Sequence, residues 1–474
     1  MSTQAPRKHV GWTFVITSTA LFMAMLDNLV VVTALPVIRA DLNASLSQLE
    51  WIVNAYTLTF AVLLLTGAAL GDRFGRRRMF IVGLGVFTVG SALAAMSTTI
   101  EMLIIARALQ GMGGALVVPL TLTILSAAVP PERRALALGA WGGIGGLAVA
   151  VGPLVGGAIA EGLAWQWIFW LNVPIGIVAV VASRRWLNET FGPDKRLDLG
   201  GLVLASAGFT GIVYGLVHAN EAGWGDASVI APLVAGTVLL AAFVWWEARS
   251  PAPMLPLQFF RDRTFAVANG ASFLLFFGMF GAVFLLAQFF QVAQGFGPFE
   301  SGLRTLAWTA MPVFIAPIAG ALSGRYGGRP FLVGGLGLMA VGLGWFAAVG
   351  EAGSPYGELL PSLIISGIGM GLFFAPIANV VLSSVKPEEE GKASGANNAI
   401  RELGGVFGVA VLAAVFSANG SYVSPEAYVD GLIPAVWVGA ILVGAGAILS
   451  LALPRKRSTE AKIGGRDLPA MPAA

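Results

Sequence analysis

The chain has 474 residues, 57% of them hydrophobic and only 11% charged, with a mean hydropathy of +0.81. Soluble domains carry about 25% charged residues, so this composition excludes an ordinary soluble protein and points to the bilayer. The net charge of +3 gives no nucleic-acid-binding balance. The lack of cysteine excludes disulfide and thiolate chemistry, and two histidines, His9 and His218, are too few for a histidine metal site.

A membrane-crossing helix needs about 20 mostly apolar residues. Fourteen such runs follow in order: 12–37, 51–71, 79–97, 102–127, 135–160, 165–187, 199–219, 229–248, 265–292, 302–324, 330–350, 358–385, 393–418 and 432–453. They are called spans 1 to 14 below, and the fold class they predict is an all-α polytopic membrane protein. The N-terminal "MSTQAPRKHVGWTF" leads into a run longer than a signal-peptide core, with no small-residue cleavage site, and so reads as span 1. An even number of spans puts both termini on one side. With that side cytoplasmic, all of the 28 Lys and Arg except Arg39, Arg107 and Arg304 fall on it, counting Arg401 there. Acidic residues such as Asp41, Glu50, Glu101, Glu161, Glu221 and Asp226 occupy the opposite loops. This is the positive-inside pattern, and it predicts a plasma-membrane protein, of bacterial type, with cytoplasmic termini.

A weak internal repeat divides the chain. Gly111, Gly113, Val129, Pro131 and Glu132 recur as Gly367, Gly369, Val385, Pro387 and Glu388, and "GDRFGRRR" (71–78) has an eroded echo in "SGRYGGRP" (323–330). The expected organisation is a six-span bundle over 1–187, an inserted pair (spans 7 and 8) over 188–250, a second six-span bundle over 251–454, and a cytoplasmic tail over 455–474. Repeated halves around a central site are a transporter feature.

Ionisable residues inside spans are functional candidates by default. Asp27 in "LDNLVVVTALPVI" lies about 15 Å below the outer end of span 1, and Arg107 about 10 Å below that of span 4, at a rise of ~1.5 Å per residue. A long arginine side chain can bridge the difference. Burial raises a carboxylate's pKa and a nearby arginine lowers it, so the pair reads either as a tuned proton site or as a permanent structural ion pair. Arg401 and Glu402 sit roughly mid-membrane in span 13, with Glu402 either a second proton or cation site or a partner for Arg401. In the loop after span 2, Gly75 permits a tight turn. Arg73, Arg76, Arg77 and Arg78 there supply cations for Asp72. In span 5, Pro153 favours a kink, and Gly152, Gly156 and Gly157 form a close-packing face. Asn54, Tyr56, Gln110, Asn172, Asn379, Asn397 and Asn398 either line a pathway or make interhelical hydrogen bonds. Phe276, Phe277, Phe280, Phe284, Phe289, Phe290, Trp308, Phe373 and Phe374 either line an adaptable cavity or pack the core. His218 reads as peripheral.

Several of these stretches resemble a known family. "TGAALGDRFGRRRMF" (66–80) is similar to the loop motif of the major facilitator superfamily, and "VGPLVGG" (151–157) to its antiporter-specific proline–glycine motif. "WIVNAYTLTFA" (51–61), "WQWIFWLNVPIG" (165–176), "LDLGGLVLASAG" (197–208), "SPAPMLPLQFFRDRTF" (250–265) and "GKASGANNAIRELGGVFGVA" (391–410) resemble its fourteen-helix drug:proton antiporter branch (QacA/EmrB-like). The resemblance implies a major facilitator fold, Asp27 as proton-binding acid, and Arg107, Gln110 and Gly111 as the coupling motif. It also implies that Asp72 and its arginines latch the cytoplasm-closed state. Ala68, Ala148, Gln166, Val32, Thr33 and Glu402 depart from the family's usual residues.

The expected function is therefore a proton-coupled exporter of lipophilic compounds, with cationic ones as candidates, working by alternating access. The alternatives are a dedicated exporter of one endogenous metabolite or antibiotic, or a nutrient facilitator, against which the proline–glycine motif speaks. No enzyme is expected. There is no HExxH and no P-loop, and the two GxGxxA matches (143–148 and 335–340) lie in apolar helices. The expected partners are small-molecule substrates, protons and the lipid bilayer, with no nucleic acid, no cofactor and no metal, and the expected state is a monomer.

Overall fold

The computed structural model of the protein describes residues 10–192, 197–386 and 389–454. The tail over 455–474, His9 and the repeat residues Pro387 and Glu388 lie outside these. Among the described residues, fourteen helices are long and apolar enough to cross a membrane, one for each predicted run. Spans 1 to 7 are Val10–Leu42, Leu46–Phe74, Arg76–Ala95, Ile100–Ala128, Ala137–Gly162, Trp167–Trp186 and Leu199–Ala219. Spans 8 to 14 are Ala227–Glu247, Arg263–Val292, Pro298–Tyr326, Arg329–Val349, Tyr356–Leu382, Glu390–Asn419 and Pro425–Ser450. The chain is a multi-pass membrane protein.

Local chemistry sets the helix ends. Ser45 caps span 2 by accepting from Gln48 N, while the Gln48 side chain accepts from Ser45 N, a reciprocal capping box. Gly75 ends the same span at φ +105°, a conformation that disfavours side chains. Spans 6 and 10 are each broken once, at Leu171 and Ala310, with Pro174 and Pro312 just beyond. Proline removes a backbone donor and disfavours helix at the residue before it, which explains why the breaks fall there.

Spans 1 to 6 form one bundle and spans 9 to 14 another. The halves meet along two seams, span 5 against span 10 and span 2 against span 13, with span 1 touching span 9. Spans 7 and 8 form a hairpin. Span 7 rests on both spans 2 and 13, and span 8 packs mainly on span 7.

The two ends of the molecule differ. The end with the arginine-rich loops is called the basic end here, and the opposite one the acidic end. At the acidic end Gln291 Nε2 of span 9 donates to Thr33 O of span 1 at 2.8 Å. Pro36, one turn further along, distorts the local ladder of span 1, which leaves such carbonyls available. Glu161 accepts from Phe299 N in the first turn of span 10 at 2.8 Å, a carboxylate set on a helix N-terminus across the seam. Arg39 lies 4.0 Å above the ring of Tyr422. Gly157 lets Pro298 approach span 5, and Gly302 faces the Pro153 carbonyl. Nearer the basic end of span 5, Gly139, Gly142 and Gly143 face open space. The halves are thus tied at the acidic end, and span 5 is uncovered toward the basic end.

Candidate functional site

The centre of the first bundle holds a closed polar network in an apolar surround. Asp27 and Arg107 form an ion pair, with both side chains at 0% exposure. The second carboxylate oxygen of Asp27 accepts from Asn172 Nδ2 at 2.7 Å and from Gln110 Nε2 at 3.2 Å. Arg107 Nη1 also donates to Gln110 Oε1 at 2.9 Å, and its Nε donates to Ile52 O at 3.2 Å. Ser91 completes the ring. Its hydroxyl donates to Phe169 O at 3.1 Å and accepts from Gln110 at 2.9 Å and Asn172 at 3.0 Å. Both amide protons of Gln110 and both of Asn172 are therefore used, as a buried network requires. Arg107 Nη2 has no hydrogen-bond partner among the described residues.

Glycines make this convergence possible. A Cβ on Gly90 would lie 2.9 Å from Gln110 N, so only glycine lets span 3 bring Ser91 to span 4. Gly111 does the same between spans 4 and 2, where a Cβ would run into Tyr56 O. That approach sets the Tyr56 ring 4.3 Å from the Arg107 guanidinium carbon. Tyr56 then donates its hydroxyl to Ala24 O at 3.1 Å.

Tyr56 also forms the boundary of a second feature, a cavity between the two bundles. Ala24, Met25, Asn28, Tyr56 and Phe60 line it on one side, and Phe276, Phe280, Trp308, Phe374, Arg401 and Glu402 on the other. Asp27 sits behind this wall while its neighbour Asn28 faces the cavity. Arg401 lies 4.3 Å from the Phe276 ring centroid and 5.5 Å from that of Phe374, and it donates to Asn398 Oδ1 at 3.2 Å. Glu402 forms no ion pair with Arg401 and has no hydrogen bond among the described residues. Asn28 Oδ1, Trp308 Nε1 and Arg401 Nε likewise lack protein partners. Arg401, a mid-membrane candidate for the substrate pathway although counted above among the cytoplasmic-side cations, lines the cavity. Among the aromatic candidates, Phe276, Phe280, Trp308 and Phe374 reach the cavity. Phe284, Phe289, Phe290 and Phe373 are core side chains, because their helix face turns into the bundle.

The remaining polar candidates are dispersed. Gln110 belongs to the Asp27 network. Asn54 is fully buried away from the cavity lining, with neither side-chain polar atom bonded. Asn379 is exposed and donates to Ser323 Oγ at 3.2 Å. Asn397 bonds Asn269 and Ser272, both at 3.0 Å, tying span 13 to span 9.

In the loop after span 2, the expected four-arginine shell around Asp72 reduces to one residue. Arg76 binds Asp72 at 2.8 and 2.9 Å. Arg77 and Arg78 turn instead to Glu189, which also accepts from Arg77 N at 2.9 Å. Arg73 stacks only on its neighbour Phe74, at 5.0 Å. The reason is helix geometry: Arg76 is i+4 from Asp72, and Gly75 swings the later arginines toward the end of span 6. Glu189 was not identifiable from the sequence, since it follows span 6 in a polar stretch with no pattern of its own. In span 5, Gly152 abuts Leu29 and Gly156 abuts Val30 O of span 1, and Gly157 faces span 10. The motif thus joins span 5 to both its own bundle and the other.

Two helical bundles around a central cavity, with a buried acid–base pair beside it, define a polytopic membrane carrier. The chain belongs to the Major Facilitator Superfamily, which it matches over residues 17–408 and again over 268–472. It is 34% identical to the tetracenomycin C resistance and export protein of Streptomyces glaucescens, covering 90% of this chain and 79% of that one. It is 36% identical to the cephamycin export protein CmcT of Amycolatopsis lactamdurans, covering 93% and 92%. Among solved structures, a POT family transporter in complex with a thioalcohol-conjugated peptide shares the fold, with a TM-score of 0.71 at 13% identity over 93% of this chain and 95% of that one.

Proposed function

We propose that this protein is a proton-coupled drug exporter of the plasma membrane that works by alternating access, with its basic end and both termini in the cytoplasm. The observation that carries the reading is the placement of the closed Asp27–Arg107 network directly behind a cavity-lining residue, Tyr56. The relatives named as resistance and export proteins support the direction of transport, and the clustering of basic residues at one end supports the orientation.

A substrate enters from the basic end, where span 5 is uncovered, and meets Phe276, Phe280, Trp308 and Phe374. Glu402, which makes no hydrogen bond or ion pair among the described residues, serves as counter-ion for a cationic group. The cavity as it stands is about 90 Å³, well below the ~300–1,000 Å³ of drug-sized sites, so binding must part side chains at the interface. A ligand pressing on Tyr56 disturbs the ring stacked on Arg107. Rocking exposes the substrate outward, and protonation of Asp27 from that side removes one partner of a buried pair, favouring release and reset by a change of several kcal/mol in such settings. That is enough to shift a two-state rocking equilibrium. Asp72 and Arg76 are already paired with the basic end uncovered, so this ion pair alone does not latch that end shut. The protein acts as a monomer on small molecules and protons, moving its substrate without converting it.

A second reading is a dedicated exporter of one antibiotic, favoured by relatives whose names each specify a single compound. One experiment addresses both. Efflux of a fluorescent cationic dye, with and without a protonophore, is compared between wild type and Asp27→Asn in vesicles, alongside neutral and anionic compounds. Full protonophore-sensitive efflux by Asp27→Asn would sink the coupling mechanism. Transport of a single compound from the panel would select the second reading.

A further inference from the structure

The hairpin of spans 7 and 8 takes no part in the network or the cavity above, yet it builds a second concavity. At the acidic end, Ser45, Ser47, Gln48 and Trp51 of span 2 and its cap face Tyr214, Val217 and His218 of span 7, and Glu221 in the helical turn that continues it, across a pocket of about 450 Å³. That is within the ~300–1,000 Å³ of small-molecule sites, and larger than the central cavity. Its chemistry is one-sided. Glu221 Oε1 accepts from Ser45 Oγ at 3.0 Å and also from Ser47 Oγ, so the carboxylate is held in place by the opposite helix, while Oε2 has no hydrogen-bond donor among the described residues. Gln48, in the floor, is bonded to a second carboxylate, Glu101, at 3.3 Å. No lysine or arginine lines the pocket. The wall is a row of three rings: Trp51 to Tyr214 at 6.4 Å and Tyr214 to His218 at 5.4 Å.

A fixed carboxylate beside tryptophan and tyrosine rings suits an organic cation, through charge and through the rings' negative faces, although His218 covers one face of Tyr214. The geometry points to a binding site for a substituted ammonium group in this pocket, with Glu221 as counter-ion and Trp51 and Tyr214 as the aromatic contacts. The site is separate from the central cavity and does not depend on the direction or the coupling of transport. The ammonium has two sources, a choline or ethanolamine lipid headgroup at the membrane surface or a free amphiphilic cation.

The absence of cysteine makes the test direct. Gln48→Cys places a single thiol in the pocket, and its labelling by N-ethylmaleimide is timed in purified protein in nanodiscs. In phosphatidylglycerol discs, added tetraethylammonium is expected to slow labelling about fivefold. Glu221→Gln is expected to abolish that protection and Glu221→Asp to restore it, the scale expected for one partly exposed ion pair plus a ring contact. If phosphatidylcholine discs already protect the thiol without added cation, and Glu221→Gln relieves this, the occupant is the lipid headgroup. Labelling that no ammonium slows, or slowing that persists unchanged in Glu221→Gln, overturns the site. Dye efflux is not read, so a failed exporter reading leaves this result standing.

Discussion

Each bundle contributes one acid and one arginine to the middle of the molecule, and the two pairs are built in opposite ways. In the first bundle, Asp27 and Arg107 touch, both are sealed from solvent, and three further side chains saturate the carboxylate and its neighbours. In the second, Arg401 and Glu402 are adjacent in sequence yet make no ion pair, because neighbours on a helix point about 100° apart. Each lines the cavity, Arg401 against two phenylalanine rings and Asn398, and Glu402 without a hydrogen bond or ion pair among the described residues. Spacing therefore decides the use of the same chemistry. Residues brought together from different spans make a buried pair whose loss is costly. Adjacent residues on one span form no ion pair with each other and stand side by side in the lining of the cavity.

The largest expected effect breaks the first pair. Arg107→Gln leaves Asp27 buried without a cation, and losing one partner of such a pair typically costs about 3–5 kcal/mol. Its thermal midpoint in detergent should fall far below wild type. Asp27→Asn combined with Arg107→Gln removes both charges, and the amides can still bond Gln110, Asn172 and one another. The double variant should recover much of the lost stability, with a coupling energy of about 1–3 kcal/mol in a double-mutant cycle. Additive losses would show that the network, and not the pair, holds the bundle. Neither single variant should drive proton-dependent efflux.

The intermediate effect tests the second pair. Glu402 makes no hydrogen bond or ion pair among the described residues, so Glu402→Gln removes an unpaired interior carboxylate and should leave the thermal midpoint at or above wild type. It should weaken apparent affinity for a monovalent cationic dye by roughly tenfold, and leave a neutral substrate of similar size nearly unchanged. Equal losses for both substrates would place Glu402 in the transport cycle itself and collapse the contrast between the two pairs.

How much of this was legible in the sequence follows from what kind of interaction each feature uses. All fourteen spans are readable because hydropathy is local, and the errors fall where a capped polar first turn hides a helix start. Span 14 begins at Pro425, behind the Ser424 cap, while Glu426 and Asp430 delay the apolar signal to residue 432. The breaks at Leu171 and Ala310 are averaged away in any 20-residue window. The meeting of Asp27 with Arg107 is readable from depth alone, since both lie in the acidic-end half of their spans. Ser91 is not, because one hydroxyl in an apolar span carries no pattern. The same holds for Glu189, whose role exists only because Gly75 turns Arg77 and Arg78 toward the end of span 6. Tyr56 was legible as polar, but its position between network and cavity is a product of the Gly111 contact.

Tyr56 also gives the smallest and sharpest test of how the two pairs communicate. Its hydroxyl makes one hydrogen bond to Ala24 O, and its ring covers Arg107. Tyr56→Phe deletes only the hydroxyl. The lost bond is worth about 1 kcal/mol and exposes a single carbonyl already served by its own helix, so a modest drop in thermal midpoint is expected. Efflux should persist, because the ring still separates cavity from network. Tyr56→Leu keeps the apolar volume but removes the ring's attraction for the guanidinium, worth ~0.5–2 kcal/mol. It should lower substrate-stimulated proton flux more than it lowers stability. If Tyr56→Phe uncouples as strongly as Tyr56→Leu, the signal passes through the hydroxyl and the backbone of span 1, not through the face of the ring.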